Sequence, residues 1–251
     1  MATKWGPHRL GVTIQHIRSV FQHAFDAGLI PTPVRFGPGF KGPTKKTLRL
    51  HRAKQGAKLF TADVVRSILD AAGTTMNAML YLGINCGFGN GDCGNLPTSA
   101  LDLDGGWMDY PRPKTGIKRR CPLWPETVLA MRKALADRPE SKDEAHAGLT
   151  FITKYGGPWA KDTPDSPITK EMRKLLDKLG IEGHKNFYTL RHVFRTVADE
   201  AKDQPAVDHL MGHARDDGAS AYREGISNDR LCAVSDYVRA WLFPLQKPSA
   251  S

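Results

Sequence analysis

The amino-acid sequence predicts a mixed, mainly α fold, in which a large helical domain carrying a small three-stranded antiparallel sheet follows the remnant of a smaller helical domain. Three observations carry that prediction. Apolar residues recur three and four apart through most of the chain, the spacing of one helix face. A single stretch, ALDLDGGWMDYPRPKTGIKRRCPLW, instead alternates in short runs around Gly105-Gly106 and Thr115-Gly116, as a meander does. A basic segment with Gly and Pro parts a lone N-terminal helix from everything after it.

The first helix is expected over residues 8–28, where Ile14, Ile17, Phe21 and Phe25 form a stripe that stops at Gly28, ahead of Pro31 and Pro33. One helix cannot bury its own stripe. It either docks on the main domain or is what is left of a small helical domain over residues 1–30. Residues 31–58 read as a basic linker, because no acidic residue falls between Ala27 and Ala62 while Arg35, Lys41, Lys45, Lys46, Arg49, Arg52, Lys54 and Lys58 do. Such a run is either a solvated connector or a strap across a phosphate backbone. The strap reading makes Lys41, Lys45, Lys46 and Arg49 DNA contacts.

The main domain is expected over residues 59–245, with 246–251 a flexible tail. Thr61 is a fair N-cap for a helix over 62–72, and a second helix over 75–85 breaks at Gly87-Phe88-Gly89-Asn90-Gly91-Asp92. A G-x-G that follows a helix rather than a strand is a poor phosphate loop, so no nucleotide cofactor is expected. The meander comes next. Its second turn is strongly basic, with Arg112, Lys114, Lys118, Arg119 and Arg120, all candidates for contact with DNA. Helical patterns at 125–138 and 168–179 flank a strand-like LTFIT at 149–153, and the last seventy residues read as helical throughout.

The 251 residues are 40% hydrophobic and 25% charged, enough for one good core and a smaller satellite, with a formal net charge of +10 that favours a polyanionic partner. No run of eighteen apolar residues occurs, and MATKWGPHRLG lacks the layout of an export signal, so neither a membrane nor secretion is expected. The expected location is the cytoplasm, on the nucleoid. Cys86, Cys93, Cys121 and Cys232 include no C-x-x-C pair and read as buried or half-buried thiols. His209 and His213 have metal-ligand spacing on a helix but no accompanying ligand set, so no metal is expected.

The informative residues lie near the C-terminus. Tyr188-Thr189-Leu190-Arg191-His192 is followed by Leu210-Met211-Gly212-His213, and Tyr222 stands nine residues beyond His213. These segments resemble the C-terminal motifs of the tyrosine recombinases, or phage integrases, in which H-x-L-R-H precedes L-G-H and a nucleophilic tyrosine. Pro113-Lys114-Thr115-Gly116 is similar to that family's β-hairpin lysine motif. The resemblance covers residues 59–243, and the N-terminal helix and linker resemble the end of the family's core-binding domain.

The resemblance implies DNA breakage and rejoining in site-specific recombination or integration, without cofactor or metal. Tyr222 attacks a phosphodiester and forms a 3′-phosphotyrosine, Arg191 and His213 meet the charge on the phosphorane, and Lys114 protonates the departing 5′-oxygen. It implies double-stranded DNA as partner and self-association on DNA. Val238, Trp241, Leu242 and Phe243 are apolar positions that either pass to a neighbouring copy or pack on their own domain.

Two family positions depart from the pattern. Gly89 stands where the family has its first catalytic arginine, and Tyr188 replaces the histidine that opens the second motif. Loss of that cation is of a kind that costs about a hundredfold to a thousandfold in rate unless another group fills in. Arg119, Arg195, Arg215 and His184 are candidate substitutes. The alternative is therefore a catalytically impaired DNA-binding protein on the same scaffold, either a regulator or a decayed mobile-element integrase. A basic globular protein unrelated to DNA is the third reading.

Overall fold

Pro7 opens the first helix at a position where its missing N–H has no helical partner to lose, and α1 spans Pro7–Asp26. A computed structural model describes residues 5–54, 59–161, 166–213 and 225–244. The chain divides into two units, Met1–Ala57 and Lys58–Ser251. In the first, Ile14 is the buried residue of α1, and a second helix, α2 (Lys45–Lys54), packs against α1. The segment expected as linker is thus helical in its second half. The physical reason is local: Thr44 Oγ1 accepts from the Thr47 amide at 3.1 Å, and the next residues are mostly good helix formers without Gly or Pro. Between the helices Phe36 stacks on Phe40 with ring centroids 4.8 Å apart, and Arg18 lies over both rings while donating to the Phe40 carbonyl at 2.8 Å.

In the second unit Thr61 caps α3 (Ala62–Ala71) by accepting from the Val64 amide. The next helix, α4 (Thr74–Asn85), is apolar nearly all round and so lies at the centre. It is surrounded by α3, α6 (Pro125–Ala136), α7 (Pro167–Lys178), α8 (Tyr188–Asp199) and α10 (Asn228–Leu242). The Gly-rich run ends α4, and a short helix, α5 (Asn90–Gly94), follows it. The remaining helix, α9 (Gln204–Met211), starts from Asp203, whose carboxylate accepts from the Ala206 amide.

The meander forms as its alternation predicts. β1 (Leu101–Asp102), β2 (Trp107–Asp109) and β3 (Arg120–Pro122) make a sheet of order β1-β2-β3, antiparallel throughout, with Met108 opposite both Leu101 and Cys121. Beyond the strands the second hairpin continues through Tyr110 N to Arg119 O and Arg112 N to Ile117 O, at 3.0 and 2.9 Å. LTFIT is not a strand. Phe151 and Ile152 are both buried, so the side chains do not alternate, and only isolated bridges form at Leu149 and Ile152.

One buried amide ties distant elements together. Asn85 Nδ2 donates to the Pro122 carbonyl at 3.0 Å and to Ser235 Oγ at 3.1 Å, while its Oδ1 accepts from the Trp124 amide at 2.9 Å and Thr127 Oγ1 at 2.8 Å. Trp124 Nε1 also reaches Ser235 Oγ, at 2.8 Å. The C-terminal helix therefore belongs to its own unit. Val238 and Leu242 are fully buried there, and Trp241 and Phe243 pack against the same core. Cys86, Cys93 and Cys121 are buried free thiols, and Cys232 is half-buried. Among the described residues no helix is long and apolar enough to cross a membrane, and no cluster of three or more His, Cys, Asp or Glu is arranged for a metal.

Candidate active site

The buried face of α8 contains Leu190, Val193 and Phe194, and the same face carries Arg191. Its guanidinium is enclosed, with the residue only 2% exposed. Nη1 donates to the Gly87 carbonyl, and Nη2 donates to the Met211 carbonyl and to His213 Nε2, both at 2.8 Å. No carboxylate among the described residues pairs with it. Burial lowers its pKa, Asp92 acts against that, and Arg112 adds to the lowering. A buried cation held only by neutral groups is costly, and a site with that character is suited to an anion.

His213 faces this guanidinium because of the way α9 ends. Gly212 takes the left-handed conformation, φ 62°, so that its own amide and that of His213 turn back to the carbonyls of His209 and Asp208 at 3.1 and 2.9 Å. Arg191 can only donate, so Nε2 accepts and the imidazole proton sits on Nδ1, which is 3.8 Å from Asp208 Oδ1. Burial lowers the His213 pKa first, then Arg191, Arg112 and Arg195, with Asp208 opposing them.

The basic hairpin lies on the same turn. Arg112 Nη1 and Thr115 Oγ1 each reach the Gly212 carbonyl at 3.5 Å, at the long limit for a hydrogen bond. Lys114, between them in sequence, is exposed, as is Lys118. Arg120 lies 4.4 Å over the Trp107 ring and pairs with Asp109 at 2.6 Å. Arg119, expected as a DNA contact, is instead buried. It pairs with Asp92 at 3.1 Å, donates to the Tyr110 carbonyl at 3.0 Å and lies 4.1 Å over the Phe88 ring. Its charge is paired inside the domain through Nη2, while Nη1 is buried without a hydrogen-bond partner among the described residues.

Gly89 and Tyr188, the two departures from the family pattern, touch one another. A Cβ at Gly89 would come within 3.1 and 3.2 Å of Tyr188 Cδ2 and Cε2, so the ring lies close against the glycine. The Gly89 amide donates to Asp92 Oδ2 at 2.7 Å, which gives Asp92 a second task beside Arg119. Of the other candidate substitutes, Arg195 is taken up by Asp199 and Asp208, and His184 is exposed. Tyr222 and Arg215 lie outside the described residues. Lys41, Lys45, Lys46 and Arg49 are exposed on the first unit. Reading the sequence missed Asp92 as the meeting point of Gly89 and Arg119; its one signal was an acidic residue three places after Gly89.

Residues 58–227 match the model of the phage integrase family. The chain belongs to that family, the tyrosine recombinases. Its members are DNA-binding enzymes of site-specific recombination and integration. Solved structures agree in fold. The XerA recombinase is 18% identical with a TM-score of 0.53 over 95% of this chain and 78% of that one. The integrase from mycobacterium phage Brujita is 17% identical, TM-score 0.54, over 94% and 73%. The Tn1549 transposon integrase in complex with transposon right end DNA is 14% identical, TM-score 0.64, over 95% and 82%. A search of curated proteins by sequence gave no match. The Arg191–His213 pair of this integrase-family protein therefore occupies the two motifs by which the sequence resembles the family.

Proposed function

We propose that the chain is a tyrosine-type DNA strand transferase, acting on double-stranded DNA as a self-associating assembly on the nucleoid. The observation that carries this is the buried Arg191 guanidinium joined to His213 Nε2 at 2.8 Å. Three of the five guanidinium donors are engaged, by Gly87, Met211 and His213, and the His213 bond is one that an arriving phosphate oxygen can replace. The phosphate's charge then raises the His213 pKa and makes the imidazole a second donor. The Tyr222 hydroxyl gives up its proton to solvent as its oxygen forms a bond to phosphorus and the bond from phosphorus to the 5′-oxygen breaks. Lys114, on the exposed turn, supplies the proton to that oxygen, leaving a 3′-phosphotyrosine and a free 5′-hydroxyl. Rejoining reverses these steps with a new 5′-hydroxyl, so no energy source is consumed.

One observation favours the second reading, a DNA-binding protein without strand transfer: the ring of Tyr188 fills the place beside Gly89 where the family arginine would start. Nicked suicide duplexes bearing the protein's own flanking DNA separate the two. Strand transfer gives a covalent protein–DNA adduct that disappears in Tyr222→Phe. Binding without adduct on every such duplex supports the second reading.

A further inference from the structure

We propose that Arg112, on the second hairpin, is the second cation of the phosphate site and does the work of the arginine missing at position 89. The inference rests on the strand-transfer reading above. A phosphorane presents two non-bridging oxygens, and one guanidinium plus a single imidazole N–H leaves much of their charge unmet. Position 89 cannot contribute, because the Tyr188 ring closes that approach at 3.1 Å and the loop amide is already committed to Asp92.

Among the described residues, the other arginines proposed as substitutes are committed. The side chain of Arg119 is 0% exposed, and freeing it would leave Asp92 buried without its ion pair. Arg195 is bound by two carboxylates. Arg112 differs in each respect. It is half-buried, and among the described residues no carboxylate pairs with it and its guanidinium makes one hydrogen bond, the 3.5 Å contact to the Gly212 carbonyl. Its stem lies against Gly212, adjacent in sequence to His213, and its charge is felt by both Arg191 and His213. A weakly held cation beside the Arg191–His213 pair can turn to an incoming phosphate at little cost. Because it precedes Lys114 by two residues on the same hairpin, closure of that hairpin on DNA delivers the cation and the proton donor together.

Single-turnover cleavage of the suicide duplex tests the assignment. Arg112→Ala should lower the rate by about a hundredfold or more, the effect of removing one transition-state donor, with DNA affinity changed by much less. Arg112→Lys, which keeps the charge and loses the fork, should fall between. In a Gly89→Arg, Tyr188→His background Arg112→Ala should lose much of its effect. Cleavage by Arg112→Ala within about threefold of a wild type that forms the Tyr222 adduct overturns the proposal, being well short of that loss. A second measurement keeps it separate from the strand-transfer reading: binding of orthovanadate, a phosphorane mimic. If the wild type forms no adduct but Arg112→Ala binds orthovanadate about tenfold or more weaker, as loss of a charge-assisted bond predicts, the phosphate assignment stands and strand transfer alone fails. Unchanged orthovanadate affinity removes Arg112 from the site.

Discussion

An imidazole that accepts a bond from a buried guanidinium is held in its neutral form. For His213 the direction is downward from 6.5, through burial first and then Arg191, Arg112 and Arg195, against Asp208; His209 is lowered too, by burial against Asp109. The unfolded chain takes up the proton first as the pH falls. His213 thus adds stability that is whole above about pH 6.5 and is lost progressively below it. Replacing His213 with Gln should flatten the loss of stability below about pH 6.5 in urea denaturation, and an unaltered pH profile would contradict the lowered pKa. The pair itself was legible, because R-H and G-H lie in motifs whose order and spacing survive in the chain. The burial of Arg119 was not. In sequence it is one more charge in a basic run, and only folding brings Asp92, twenty-seven residues away, together with Phe88 and Tyr110 around it.

Among the elements, the end of α9 governs the site, since one left-handed glycine aims His213 and also gives the hairpin its resting place. Gly212→Ala would strain φ 62° and put a Cβ 2.8 Å from Arg112 Cβ. A loss of about 1–2 kcal/mol in unfolding free energy is expected from the backbone alone. Cleavage of the suicide duplex should fall further than that loss explains, as the hairpin is pushed off the turn; full cleavage would mean that Gly212 does not set the hairpin. Helices with a clear apolar stripe, and the meander with its two glycine turns, were readable because their periods are local. α2 was obscured because its cap is one threonine and its faces are basic, and LTFIT misled because a short apolar run looks alike whether it pairs or simply plugs the core.

For the molecule as a whole, the net charge of +10 matters through where it is left uncommitted. Arg119 and Arg120 are engaged inside the second unit, whereas Lys114, Lys118, Lys41, Lys45, Lys46 and Arg49 are exposed. DNA affinity should therefore fall steeply with salt. Changing Lys41, Lys45, Lys46 and Arg49 together to Gln should make the log–log slope shallower by about 0.9 for each one that meets a phosphate, and an unchanged slope would take the first unit out of the contact.

The amide of Asn85 has a consequence for how the second unit comes apart. Through one side chain it joins α4, the segment leading into α6, and α10, across as many as 150 residues of sequence. Removing any of them strands a buried donor or acceptor at about 1–3 kcal/mol apiece. Helix α10 is thus a keystone of its unit, and it should open only as the whole unit opens.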